Sequence, residues 1–364
     1  MLDYPFGRQL PEPGKLLEVA SGIYWLRMPL PMALDHINLY LLEDSDGWWV
    51  VDTGMSLQPT QELWQEIFAN QLQDKPIKAV VCTHWHPDHT GNAGWLCERW
   101  NAPLYISRTE YLTGMFYTRS DPEDLSAASE QHQLRLGRRG EDIHAFRKTM
   151  GGLRDMVSPL PGSYRRLVDG AVLSINGQRW RVVIGRGHSP EHACLFSDSL
   201  NVLISGDQVI PRISSNIAVG PEEPEANPLR EWLQSLEHFL DVLPADALVL
   251  PAHNVPFTGL HHRLRHLIEH HEDGLLSLEE ACVDQPRAAL ELLPALFQRE
   301  LNEEQVNMAL GECLAHLNYL VQRGQVARHS DEAGVYRYRS VDDTLPLRLR
   351  QRKTPRDGRQ PLQV

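Results

Sequence analysis

Ile77-Lys78-Ala79-Val80-Val81-Cys82 runs through Thr83 into His84-Trp85-His86-Pro87-Asp88-His89. The first part reads as a buried strand: a short apolar run rich in β-branched residues. The second places four potential metal ligands within six residues and is followed by Thr90-Gly91-Asn92-Ala93-Gly94. Ligands just past a strand end sit on a rigid base and converge there. Imidazole suits zinc, copper, iron and nickel, whereas carboxylate tolerates harder ions, so the mixed His/Asp set points to a zinc-like or iron-like metal.

Four other segments share that placement. Asp52 follows Val50-Val51, His188 in Gly187-His188-Ser189 follows Val182-Val183-Ile184, Asp207 in Gly206-Asp207 follows Val202-Leu203-Ile204, and His253 in Pro251-Ala252-His253 follows Leu248-Val249-Leu250. Polar residues closing several buried strands, each beside Gly or Pro, are what a site on one edge of a sheet requires.

The surrounding chain supports a layered α/β core. Gly22 to Gly54 reads as strands, with a hairpin turn at Asp44-Ser45-Asp46-Gly47, and Pro59 to Asn70 reads as a helix. A second hairpin is signalled by Asn176-Gly177. Residues 108–165 interrupt the rhythm; they form either a helical insertion over the mouth of a site or a helical layer packed on the sheet. Beyond Gly259 the pattern is helical, with capping-box signals at Ser277-Leu278-Glu279-Glu280 and Asn302-Glu303-Glu304-Gln305, each expected to open a helix. A two-stranded segment around Asp331-Glu332-Ala333-Gly334 follows, which is the outline of a winged helix. The expected division is 1–260 for the site-bearing domain, 261–345 for the winged-helix-like helical domain, and 346–364 for a basic, disordered tail.

His84-x-His86-x-Asp88-His89, followed in order by His188, Asp207 and His253, resembles the metallo-β-lactamase superfamily of hydrolases over roughly residues 20–260. The resemblance implies a four-layer αβ/βα sandwich with a metal site on one edge. Carried over position by position, it assigns His84, His86 and His188 to a first ion, Asp88, His89 and His253 to a second, and Asp207 to both. Asp52 is implied to be a buried orienting group. The implied cofactor is a pair of divalent ions, with zinc the default and iron or manganese compatible with the same donors. Such ions, about 3.5–4 Å apart, share a water and lower its pKa towards roughly 7, so a bridging hydroxide can attack a polarised carbonyl or phosphoryl group. Asp88 and the Asp207 bridge are the catalytic carboxylates of this reading.

His86 stands where the oxygen-reducing diiron branch has Glu, which argues against that branch, and no ligand is cysteine, which argues against β-lactam hydrolysis. His192 either donates a proton or binds substrate beside the metals, or else hydrogen-bonds the ligand loop. Glu191 is expected to face solvent, Trp85 and Trp95 to be core, and His36 to be a satisfied core or edge residue or a neighbour of the site. His261, His262, His266, His270 and His271 are spaced for one exposed helix. No carboxylate or thiol joins them at convincing spacing, so no second metal cluster is expected there.

A formal net charge of −13 argues against a surface that grips nucleic acid throughout. The leading expectation is a small ester, thioester or lactone substrate, such as a glutathione or coenzyme A thioester. A metallo-β-lactamase domain followed by a winged helix also resembles a family containing an endoribonuclease, so RNA or another phosphodiester is the alternative. A mononuclear iron persulfide dioxygenase is the second. The helical module is expected to shape the pocket or mediate homodimerisation. Five scattered cysteines without a Cys-x-x-Cys pair fit a reducing compartment. With no secretory or membrane-spanning pattern, the expected location is cytoplasmic.

Overall fold

The structure, a computed structural model, describes residues 1–120, 126–140, 142–143 and 152–342. The basic tail expected at 346–364 lies outside them, as does part of the 108–165 segment.

Two sheets carry the fold. The first has seven strands in sequence order: β1 (Leu17–Ala20), β2 (Ile23–Pro29), β3 (His36–Asp44), β4 (Gly47–Val51), β5 (Ile77–Val81), β6 (Leu104–Ser107) and β7 (Arg165–Leu167). β1 to β4 are antiparallel, and β4 to β7 are parallel. The parallel part needs crossovers. These are supplied by helices α1 (Gln58–Asn70), α2 (Pro87–Thr90), α3 (Ala93–Trp100) and α4 (Arg108–Arg119). The second sheet has the order β12 (Leu248–Pro251), β11 (Val202–Gly206), β10 (His192–Ser197), β9 (Gln178–Gly185) and β8 (Val172–Ile175). Its β8–β9 hairpin turns at Asn176 (φ 47°) and Gly177 (φ 74°), the paired positive φ values that an Asn-Gly type I′ turn adopts.

Layering follows from burial on both faces. One core joins the first sheet to its helices through Leu39, Leu41, Val80, Trp64, Ile67 and Leu96. The other lies between the sheets, where Trp25, Tyr40, Val81 and Val51 meet Val182, Leu195, Ile204 and Leu250. On the outer side of the second sheet, Arg181 of β9 donates to the Val242 carbonyl at 3.2 Å, at the end of helix α6 (Pro228–Val242).

The compact units are not contiguous in sequence. The first comprises 1–120, 152–212 and 237–264; the second comprises the described parts of 121–151 and 265–364 together with 213–236. This departs from a single boundary near 260, and the reason is pairing within the second unit. Leu290 N–H donates to the Leu136 carbonyl at 3.0 Å. Asn318 Nδ2 donates to the carbonyls of Pro224 (3.0 Å) and Ala226 (2.9 Å). The 108–165 segment is therefore shared: α4 packs Tyr111 and Met115 on the first core, while α5 (Ser126–Arg135) belongs to the second unit.

The second unit also holds α8 (Ala289–Leu296), α9 (Glu303–Gln322) and the antiparallel pair β13 (Val326–Ser330) and β14 (Tyr336–Ser340). Asn302 caps α9 as expected: its side chain accepts from Gln305 N–H at 2.9 Å, and Gln305 Oε1 accepts from Asn302 N–H at 3.2 Å. The other expected cap is corrected. Ser277 lies inside α7 (Leu260–Ala281) and donates to the Asp273 carbonyl at 2.9 Å, so it starts no helix. His271 of the same helix is fully buried, not exposed. Among the described residues no helix is long and apolar enough to cross a membrane, and all five cysteines are free and buried.

Candidate metal centre

Parallel pairing brings the strand ends to one edge. Val51 of β4 lies beside Val81 of β5, so Asp52 and Thr83-His84 emerge together. Gly206 of β11 lies beside Pro251 of β12, so Asp207 and His253 emerge together on the other sheet. Ala193 N–H donates to the Thr83 carbonyl at 2.8 Å, joining the two sheets at this edge.

The His-rich loop is fixed by its own backbone. Pro87 opens the single turn α2, where its missing N–H costs nothing and its φ suits a helix start. Gly91 ends the turn against the Gly54 carbonyl, and a Cβ there would lie 2.4 Å from that oxygen. Asn92 donates through Nδ2 to the Gly54 (3.0 Å) and Met55 (2.7 Å) carbonyls, and Thr53 N–H donates to the His89 carbonyl at 2.9 Å. The Asp52-Thr53-Gly54 turn and the ligand loop thus hold each other.

Two groups of donor atoms result. His84, His86, His188 and Asp207 form one, and Asp88, His89 and His253 the other; in each, the donor atoms lie within 4.8 Å of one another. In the first, His84 Nε2 lies 2.8 Å from His86 Nδ1 and 3.2 Å from His188 Nε2. In the second, His253 Nε2 is 3.4 Å and His89 Nε2 3.5 Å from Asp88 Oδ2. Asp207 faces both groups: Oδ2 is 3.3 Å from His188 Nε2 and 3.5 Å from His89 Nε2, and Oδ1 is 3.3 Å from His253 Nε2. All seven positions expected from the sequence are brought together.

Outer partners set the tautomers. His89 Nδ1–H donates to Asp52 Oδ2 at 2.8 Å, and His253 Nδ1–H to the His36 carbonyl at 2.9 Å, leaving both Nε2 atoms pointed inward. His36 itself accepts from Asn254 N–H at 3.1 Å, so it supports the site from outside. His192 is fully buried, and its Nε2 accepts the Asp207 N–H at 3.1 Å while its ring stacks on His84 at 4.8 Å. Of the two roles expected for His192, this is the geometry of support for the ligand loop.

Glu110, which sequence reasoning passed over, joins the loops from behind. Its carboxyl accepts from Trp85 N–H at 3.0 Å and from Glu191 N–H at 2.6 Å, tying the first ligand loop to the one carrying His188. Desolvation pushes it up to about 7 against those hydrogen bonds. Glu191 is half-buried and accepts from Thr109 N–H at 2.9 Å, so it is no free surface residue. Trp85 is not core: it stacks on Tyr117 at 4.5 Å with nearly parallel rings.

The donor chemistry fits divalent cations. Burial, reinforced by His188, brings His86 down to about 3, and burial with its imidazole neighbours also holds His84 well below its usual value. Both rings are therefore neutral with free lone pairs. Burial would raise Asp88, but His89 and His253 outweigh it and bring it to about 2. Burial opposes protonation of His253, yet Asp207 and Asp88 push it up to about 10. The second group is thus ionised carboxylates compensated by protons on imidazoles, the charge a bound cation replaces. His89 Nε2 is buried with no hydrogen-bond partner, as an atom meant for a ligand bond would be.

Comparison with known proteins agrees. Residues 33–253 match the Metallo-beta-lactamase superfamily, and residues 275–341 match the Metallo-beta-lactamase-like, C-terminal domain. A beta-lactamase domain protein from Burkholderia ambifaria is 43% identical with a TM-score of 0.86, covering 93% of this chain and 98% of that one. A metallo-beta-lactamase family protein from Thermus thermophilus is 30% identical with a TM-score of 0.76, covering 89% of this chain and all of that one. The probable metallo-hydrolase YflN of Bacillus subtilis is 26% identical over 264 residues, which is 69% of this chain and 90% of the relative. A site of this donor set on this fold, with relatives of this kind, makes the chain a member of the metallo-beta-lactamase superfamily of metal-dependent hydrolases.

Proposed function

We propose that this chain is a dinuclear hydrolase of small esters, thioesters or lactones. The observation that carries the reading is Asp207, one carboxylate facing the donor atoms of both groups at 3.3–3.5 Å. His84, His86 and His188 would hold one ion, Asp88, His89 and His253 the other, and Asp207 both; zinc suits this donor set. Two such ions, when bound, supply a water acidified towards neutral pKa and an electrophile for the substrate oxygen.

The remaining work falls to the chain. Asp88, ionised within the second group, would accept the proton released as water attacks and pass it to the leaving group. His192 holds the Asp207 backbone, and so fixes the bridging carboxylate. Asp52 orients His89. Glu110 keeps the two ligand loops in register.

An acyl substrate is supported by what lies beside His86. The Trp85 ring is 4.8 Å from His86 and stacks on Tyr117 of α4, and α4 exposes Leu112 and Phe116. The stacked aromatic pair and these two apolar side chains suit an acyl chain, and the arginines of α4 stand only at its two ends, Arg108 and Arg119. The test is turnover of a panel of thioesters, esters, lactones, phosphodiesters and single-stranded RNA by metal-loaded protein. Hydrolysis confined to acyl substrates supports the reading, and salt-sensitive RNA cleavage without acyl hydrolysis overturns it.

A further inference from the structure

A second set of metal-type donors lies in the other compact unit. His271 of α7 and Glu312 and His316 of α9 are all buried, and their donor atoms lie within 4.8 Å of one another. From these residues we infer a further metal site, holding a single zinc-like transition ion. It is independent of the reading proposed for the Asp207 centre.

The geometry suits an ion. His271 Nδ1 lies 3.2 Å from His316 Nε2. Two nitrogens bound at about 2.0–2.1 Å to one tetrahedral zinc are separated by roughly 3.3 Å. Glu312 and His316 are four residues apart on one helix, which puts both on the same face. The third donor comes from a different helix, so an ion there would tie α7 to α9.

The far side of each donor is already engaged, as metal ligands require. His316 Nδ1–H donates to the Glu312 carbonyl at 2.8 Å, which leaves Nε2 as the lone-pair atom. His271 Nε2 pairs with Ser214 Oγ at 3.1 Å, which leaves Nδ1 facing His316. Glu312 Oε2 accepts from Asn216 Nδ2 at 3.1 Å.

A simple hydrogen bond between the two imidazoles accounts for their 3.2 Å separation but not for the other two observations. The first is Glu312, a buried carboxyl beside the two imidazoles whose Oε2 accepts from the neutral amide of Asn216. A dipolar partner compensates a buried carboxylate far less than a cation does. The second is Gly274, in the interior of a 22-residue helix, where glycine costs about 1 kcal/mol relative to alanine. A Cβ there would lie 3.1 Å from Leu296 and 3.5 Å from His316 Nε2, so glycine keeps space open beside that donor atom.

The three donors leave a fourth position for solvent. Because ligands from two helices are joined, part of the binding energy becomes stability of this unit. The chain then carries one metal equivalent beyond those at the Asp207 centre.

Zinc content after desalting, for wild type, Glu312→Gln and His316→Phe, tests the proposal, together with zinc-edge anomalous maps of wild-type crystals. Wild type is expected to retain one equivalent more than either variant, and to show a peak bonded to His271 Nδ1 and His316 Nε2. Zinc should raise the melting temperature of Asp207→Ala protein, and this rise should vanish when Glu312→Gln is added. Equal metal content in all three proteins, or no density at His271 while the Asp207 centre is filled, overturns it. The wild-type maps decide the matter even if His316→Phe fails to fold.

Discussion

Asp52 Oδ2 accepts the Nδ1–H of His89 at 2.8 Å, and Asp52 Oδ1 accepts the Thr83 N–H at 2.8 Å. One carboxylate therefore sets both the tautomer of a ligand and the backbone that delivers His84. Asp52 sits at φ 60°, a conformation Asn tolerates and Ala does not. Asp52→Asn thus isolates the electrostatics from backbone strain. Weakening by about 10–100-fold is expected for the ion that His89 would hold at the Asp207 centre, measured by competition with a chromophoric chelator. Unchanged affinity would remove Asp52 from the orienting role.

His192→Ala removes the acceptor of the Asp207 N–H. Turnover is expected to fall about 10–100-fold with both limbs of the pH–rate profile unmoved, because the group acts through Asp207 and not by proton transfer. His192→Gln, whose Oε1 accepts the same N–H, should recover part of the loss. Disappearance of one limb in His192→Ala would instead make this histidine a general acid or base.

Glu110→Gln places an amide where two N–H donors converge. One of them, from Trp85 or Glu191, loses its acceptor inside the protein, at a cost of about 1–3 kcal/mol. A lowered melting temperature together with a raised dissociation constant for metal is expected. Stability lost without any change in metal affinity would reduce Glu110 to a packing role.

Glu312 gives a pH test. Its carboxyl is held at about 8 in the folded chain against an ordinary value of 4.5, so the native state binds the proton more tightly than the unfolded state. In chelator-treated protein the resulting stability is complete below pH 4.5 and is lost as pH rises through about 8, by up to a few kcal/mol. Glu312→Gln should flatten that slope in urea-denaturation midpoints measured from about pH 5 to 8.5. Zinc should counter the loss in wild type only. A slope unaltered by the substitution would contradict it.

Much of the centre is legible in the sequence because its ligands follow buried strands, and those strands announce themselves. Val80-Val81 and Leu203-Ile204 are continuous apolar runs, and a run that stops at His or Asp beside Gly or Pro marks a strand end directly. Two short strands give no such signal: four-residue β1 is silent in the sequence, as is three-residue β7, whose Arg165 and Arg166 are exposed. Glu110 looks like an ordinary acidic residue in a helix's first turn, and only the fold reveals that two ligand loops converge on it. The burial of His271 is hidden for a related reason. Periodicity places histidines on a helix face, but which face is covered depends on α9, 41 to 45 residues further on in the chain, where Glu312 and His316 lie. The grouping of 213–236 with the C-terminal helices is likewise a matter of long-range pairing.

Asp207 and the six donors around it are proposed to form a metal centre that hydrolyses acyl substrates. Turnover of a thioester and lactone panel by chelator-stripped protein, before and after zinc is restored, tests it most directly. Stripped wild type is expected to show no turnover, with recovery on adding zinc and no recovery in Asp207→Ala. Hydrolysis that survives stripping, or that Asp207→Ala retains in full, would contradict it.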